Sequence, residues 1–305
     1  MAYLDNVAVF VRVVELGNLS AAGRDMRISP AVASNSRTAP CERTLSLLSG
    51  KFSVTVLGIP LDASFFVLMA AVAVAGIVRG FSGFGTGMIV GPVGAMTFGP
   101  KVAIVILLVI DSLPMIPLIV GALKKVKLRE LAPVAAGYAL LVPLGIWFLK
   151  TGDTDTLRWF MSLVIFVAVA VLWSGWYYRG PRNVPVRLAV GGVSGFLGSA
   201  AGIGGPPVIL YWMALRTGAG IVRANLIIFL AVTSVFSATG LFLAGLVTRQ
   251  AVTQGALYAP VYLAGLTIGA RLFGFSSETT YKRIALTIVL AAAILTLPAL
   301  DGLRP

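Results

Sequence analysis

Apolar positions run through most of this chain in blocks long enough to span a bilayer, with polar positions marking the gaps. Residues 65–78 are apolar and lead through Arg79 and a glycine-rich motif to a second apolar run, 88–98. One straight helix of that length would reach about 50 Å, against a hydrocarbon core of roughly 30 Å. A broken segment fits better. Further spans are predicted at 102–122, 131–149 and 157–177, then a second broken segment at 188–215 and spans at 222–247, 251–273 and 283–300. The pattern predicts an all-α polytopic membrane protein of about eight transmembrane segments, in two four-segment repeats whose first segments are broken by glycine.

The second break is Gly195-Phe196-Leu197-Gly198-Ser199-Ala200-Ala201-Gly202-Ile203-Gly204-Gly205-Pro206-Pro207. Glycine permits unusual dihedrals and close backbone approach, and proline removes an N–H donor. At membrane depth the freed backbone groups are tolerated only where protein or a water-filled cavity receives them. The first break, Gly80-Phe81-Ser82-Gly83-Phe84-Gly85-Thr86-Gly87, has the same Gly-Phe-x-Gly-x-x-x-Gly frame 115 residues earlier. Paired interruptions in two halves point to a transporter's binding site. The competing reading is small-residue helix packing at Gly83/Gly87 and Gly198/Gly202. The repeat extends further: Asp111-Ser112 meets Thr233-Ser234, and Leu144-Gly145 meets Ile268-Gly269. Breaks that run on through the membrane make a parallel repeat of four spans. Breaks that re-enter leave three full spans per half and an inverted repeat.

Composition narrows the chemistry. The 305 residues are 58% hydrophobic and 11% charged, and they contain no His and a single cysteine, Cys41. That excludes a multi-His zinc site, His-based acid–base catalysis and an internal disulfide. Of the net charge of +13, residues 1–51 contribute little, with six basic and four acidic residues. The rest sits mostly between spans, as cytoplasmic retention of Lys and Arg predicts. Lys124, Lys125, Lys127 and Arg129 follow the second span, and Arg179, Arg182 and Arg187 the fourth. With eight spans this places both termini in the cytoplasm.

Residues 1–51 are a different kind of sequence. Leu4, Val7, Phe10, Val11 and Val14 share a helical face, and Ser20 and Ser29-Pro30 start two more short helices. The runs 4–15, 17–23 and 29–34 resemble the N-terminus of LysR-type transcription regulators. The resemblance stops near Asn35, and Pro40 ends any helix before a wing can form. The expected organisation is a truncated helix-turn-helix fragment with linker at 1–50, further linker at 51–64, a first repeat at 65–178, a cytoplasmic loop at 179–186 and a second repeat at 187–305. No cleavable signal peptide is expected, since Asp5, Arg12 and Glu15 surround the first apolar run.

Residues 65–300 resemble the sulfite exporter TauE/SafE family of membrane transporters, on the motifs 80–87 and 201–207, the repeat and the basic second loop. The resemblance implies export of small anions across a bacterial inner membrane: sulfite, sulfonates and related organosulfur or carboxylate compounds. Helix starts after the breaks suit an oxyanion, because their N–H groups lack intrahelical acceptors and carry the positive dipole end. Gly85, Gly87, Gly202, Gly204 and Gly205 supply that backbone, Gly83 and Pro206 belong to the same substrate-binding set, and Ser82, Thr86 and Ser199 add hydroxyls. Asp111 is the only acid well inside a predicted span, a functional position by default. With Ser112, Thr233 and Ser234 it forms the polar intramembrane set and is the candidate carrier of a coupling proton, or else a structural partner for Arg79. Arg79 and Arg271 are candidates to neutralise the anion, or to snorkel to the interface. Trp147, Trp159, Trp173 and Trp176 read as an interfacial belt.

These readings make the chain a secondary transporter and not an enzyme, with no cofactor and no metal. Its partners are a small anion, the bilayer, and a proton or sodium ion for coupling. No Walker A motif is present for ATP. The rivals are a membrane-tethered DNA-binding regulator using the N-terminal helices and an intramembrane enzyme. The second lacks His, a Gly-x-Ser-x-Gly elbow and paired membrane carboxylates.

Overall fold

The computed structural model describes residues 55–303 apart from 57–58, 83, 113–114, 177, 182, 214–218 and 273–277. The helix-turn-helix reading and Cys41 lie outside these residues. The chain divides into two units, Met1–Asp62 and Ala63–Pro305. In the first, part of the stretch expected as linker forms a short antiparallel pair, β1 (Thr55–Val56) and β2 (Ile59–Pro60), with Val56 opposite Ile59. Its β-branched residues favour extended backbone.

The second unit is helical. Its first part runs α1 (Ala63–Ser82), α2 (Thr86–Phe98), α3 (Pro100–Ser112), α4 (Met115–Leu123), α5 (Leu128–Thr151) and α6 (Thr154–Trp173). Its second part runs α7 (Val184–Ala201), α8 (Gly205–Met213), α9 (Ala219–Leu243), α10 (Arg249–Leu272) and α11 (Glu278–Leu295), closed by a 3₁₀ turn at Pro298–Leu303. By length and composition α1, α5, α6, α7, α9 and α10 can each cross a membrane, while α2 and residues 283–295 are shorter apolar helices. The span expected at 102–122 holds α3 and α4.

The surface is the inverse of a water-soluble protein. Leu140, Phe242 and Leu243 are each more than 70% exposed, and Trp147, Trp159, Trp173 and Trp176 are exposed too. Thr86, Ser194, Ser199, Asn225, Thr233 and Gln254 are buried. An apolar exterior of this extent around a polar interior fits hydrocarbon as the solvent. The protein is a polytopic α-helical membrane protein.

The helix directions follow from a few contacts. Near the middle of α2, a Cβ on Gly94 would stand 3.7 Å from Leu68 Cδ1, while at the other end Gly85 faces Val78. So α2 runs back along α1. It turns at Gly99 (φ 86°) into α3, which brings Ala103 against Gly94 and Asp111 against Arg79. The second break does the same. Arg187 Nε, near the start of α7, donates to Tyr211 Oη on α8 at 3.3 Å, and Ser194 Oγ donates to the Gly204 carbonyl. Both broken segments are therefore helical hairpins.

Glycines lock the hairpins in place. Gly76 and Gly80 of α1 lie against Gly265 and Gly269 of α10, and a Cβ on Gly76 would come within 2.6 Å of the Tyr262 carbonyl. Gly191 and Gly195 of α7 lie in the same way against Val134 and Tyr138 of α5. Each pair runs parallel. This is the close backbone approach that replaces hydrophobic driving force between helices in lipid. Gly80 and Gly195, the first glycines of the two matching frames, thus do the same job. On a loop, Asp153 caps α6 by accepting from the Thr156 N–H at 2.9 Å. That bond and the Thr156 side chain hold the Asp153 carboxyl below its ordinary range.

Candidate functional site

The two breaks are built differently and meet. Helix α7 ends on Gly202 in the left-handed region (φ 72°), with Gly202 N–H donating to Gly198 O at 3.0 Å and Ile203 N–H to Leu197 O at 3.2 Å. The bond from Gly202 N–H to Gly198 O is that of the αL cap, which glycine adopts without a Cβ penalty. Helix α2 starts from Gly85 (φ 106°), whose carbonyl receives the Met88 and Ile89 N–H groups at 3.1 and 3.2 Å. The N–H groups of Thr86 and Gly87, in the first turn, have no intrahelical acceptor. In α8, Pro206 and Pro207 follow Gly205, so the backbone donors at that helix start come from Gly204 and Gly205. Gly87 lies so close to Gly202 that a Cβ on it would overlap the Gly202 carbonyl. Gly87 and Gly202, one from each break, thus pack directly on one another.

A cavity of about 150 Å³ opens where the breaks meet. Gly85, Thr86 and Gly87 line it from one side and Gly202, Gly204, Gly205 and Pro206 from the other. Among its described lining residues, Arg79 and Asp111 are the charged ones. Asp111 in α3, Tyr138 in α5, Thr233 in α9 and Tyr262 in α10 each stand roughly 15–20 Å from a helix end at 1.5 Å per residue. In a core of about 30 Å, that is close to the midplane.

The charges are tied into a ring. Arg79 Nη1 is 3.1 Å from Asp111 Oδ2 and donates to Thr86 Oγ1 at 3.4 Å. Tyr262 Oη donates to Asp111 Oδ1 at 2.7 Å and stands 2.8 Å from Thr86 Oγ1. Because the tyrosine proton is committed to Asp111, Thr86 is the donor in that last pair. The ring draws on α1, α2, α3 and α10. Across the cavity, Tyr138 Oη pairs with Ser237 Oγ at 2.8 Å, joining α5 to α9.

Most of the residues singled out in the sequence come together here. Arg79, Gly85, Thr86, Gly87, Asp111, Ser199, Gly202, Gly204, Gly205, Pro206, Thr233 and Ser234 all line the cavity. Several of the hydroxyls are already engaged: Ser199 donates to Gly195 O at 2.6 Å, and Thr233 and Ser234 both donate to Leu230 O. Ser112 does not line it and donates back to Leu108 O. Arg271 is exposed at the end of α10, away from the lining. Ser82 is in the last turn of α1, and Gly83 lies outside the described residues. Sequence reasoning missed Tyr138, Ser237 and Tyr262. A signal existed: Tyr138 and Tyr262 are 124 positions apart, the spacing that relates Gly145 to Gly269.

Comparison with known proteins agrees with this picture. The family model for Sulfite exporter TauE/SafE matches residues 68–296, from the first hairpin to the last helix. No curated protein and no solved structure matches the chain. With that match spanning most of its length, the chain belongs to the sulfite exporter TauE/SafE family, a family of membrane transporters and not of enzymes.

Proposed function

We propose that the chain is a secondary transporter that exports small oxyanions, sulfite and sulfonates first and small carboxylates second, through the mid-membrane cavity. The observation that carries this is the meeting of two broken helices, one from each half, at a cavity whose single described cation is Arg79. Two first-turn N–H clusters and a guanidinium favour negative charge. A volume near 150 Å³ is well below the roughly 300 Å³ at which drug-sized pockets begin, so the ligand is small. The test is flux of labelled sulfite, methanesulfonate and acetate in proteoliposomes of the purified chain. Saturable transport of at least one, lost in Arg79→Gln, is expected. Flux no greater than in protein-free vesicles would end the proposal.

The hairpins support an inverted repeat of three crossings per half and a revised orientation. Cytoplasmic termini follow from eight crossings, which leave Arg216, Arg223, Lys282 and Arg283 on the outer side. With each break re-entering, the junctions carrying Lys124, Lys125 and Arg179, together with the starts of α5 and α11 beside Lys127 and Lys282, fall on one face. The opposite face receives the uncharged 244–248 junction and the mixed Lys150, Asp153, Asp155 turn. The positive-inside rule makes the basic face cytoplasmic, and both ends of the membrane unit then lie on the other side. In a Cys41→Ser background, single cysteines at Lys125 and Thr248 label from opposite sides on this reading. Labelling from one side would restore eight crossings.

A further inference from the structure

We propose that Asp111 is an internal stand-in for the substrate: its carboxylate holds Arg79 in the empty site, and its protonation hands Arg79 to the anion. One monoanion and one proton then cross together with no net charge. This rests on the anion-transport reading above and adds its stoichiometry and its trigger.

The charge count leads to it. With Asp111 ionised, the described lining is neutral, because Arg79 and Asp111 cancel. An anion entering that site would leave one charge uncompensated near the midplane, which a low-dielectric interior opposes strongly. If Asp111 is protonated, Arg79 is the excess charge and a monoanion restores neutrality. The groups facing Asp111 allow this exchange. They are Arg79 from α1, Thr86 from α2 and Tyr262 from α10, and the other titratable lining group is Tyr138, bonded to Ser237 on the far side.

The geometry of the pair points the same way. Arg79 reaches both Asp111 and Thr86 through one nitrogen, Nη1. It does not make the two parallel bonds with which a guanidinium fork grips a carboxylate. A sulfonate or carboxylate can use that fork in full. Asp111 is held separately by Tyr262 on Oδ1, so a proton arriving on Oδ2 takes the place of Arg79 without disturbing the tyrosine. The step balances: the carboxylate takes one proton from one aqueous phase, Arg79 changes partner from Oδ2 to the anion, and after the anion leaves the proton is released on the other side.

The experiment uses methanesulfonate, whose charge is fixed across the working range. Its affinity for the purified full chain is measured by calorimetry from pH 5 to 8, beside that of Asp111→Asn. Affinity at least tenfold weaker at pH 8 than at pH 5, with a flat profile in Asp111→Asn, is the expected result. A flat wild-type profile overturns the stand-in while leaving the anion site intact. No binding at any pH overturns the site itself and the stand-in with it. Should Asp111→Asn not fold, wild-type flux under an imposed potassium–valinomycin potential decides. Flux indifferent to the potential supports paired movement, and potential-driven accumulation contradicts it.

Discussion

The cavity has two sides, each with a tyrosine hydroxyl in a hydrogen-bonded pair, and only one of them is charged. On one side Tyr262, from α10, reaches Asp111 on α3, and Arg79 completes the pair. On the other, Tyr138, from α5, reaches Ser237 on α9, and no described lining residue there is charged. Each side holds a hydrogen-bonded tyrosine hydroxyl, and charged groups stand at only one of them. An empty site can then be neutral, and recognition of charge is concentrated at a single guanidinium.

Arg79→Gln should break the comparison most. Transport should fall a hundredfold or more. The fold should lose on the order of 3 kcal/mol, because Asp111 is left inside without its cation. Adding Asp111→Asn should restore the stability, read by denaturation in detergent, but not the flux. Restored flux in the double variant would remove Arg79 from recognition.

The glycines come next and separate packing from binding. Gly87→Ala drives a methyl into the Gly202 carbonyl, and Gly204→Ala places one 2.9 Å from the Ser194 carbonyl, so both should lower folded yield. Gly205→Ala meets only Ile209 Cδ1 at 3.6 Å, ordinary contact. It should fold normally and weaken anion binding about tenfold, roughly 1.4 kcal/mol. Full affinity in Gly205→Ala would return this glycine to a packing role.

Smaller effects sharpen the two sides. Tyr262→Phe removes a hydrogen bond to a carboxylate and should cost about 2 kcal/mol, whereas Tyr138→Phe removes a neutral pair and should cost about 1 kcal/mol. Equal costs would mean the asymmetry has no energetic weight. The smallest effect lies outside the cavity. Asp153 has its carboxyl held low, so its capping contribution is present above the ordinary carboxylate range and is lost as pH falls through the lower folded value. Asp153→Asn should keep the cap and lose that pH dependence, seen in thermal scans between pH 2 and 6.

The breaks, the membrane class and Asp111 were legible because each violates the rule of its surroundings: glycine and proline in an apolar run, a carboxylate inside a span. The hairpins were not. A glycine break is compatible with a chain that continues or returns, and the choice is made by partners far away in sequence, Gly76 against Gly265 and Gly191 against Val134. Tyr262 and Tyr138 stayed hidden for another reason. Tyrosine is an ordinary residue in an apolar helix, and only folding brings it to a carboxylate 151 positions away. The hydroxyls of Ser199, Thr233 and Ser234 looked available in the sequence, but each donates to a carbonyl of its own helix.

The central claim is that an anion sits between the two breaks, on Arg79. Crystals of the full chain soaked in selenite, the heavier analogue of sulfite, would test it by anomalous scattering at the selenium edge. One peak is expected within hydrogen-bond reach of the Arg79 guanidinium, between Thr86 and Gly205, and should disappear in Arg79→Gln. A peak elsewhere in the membrane unit, or one that survives loss of Arg79, would contradict it.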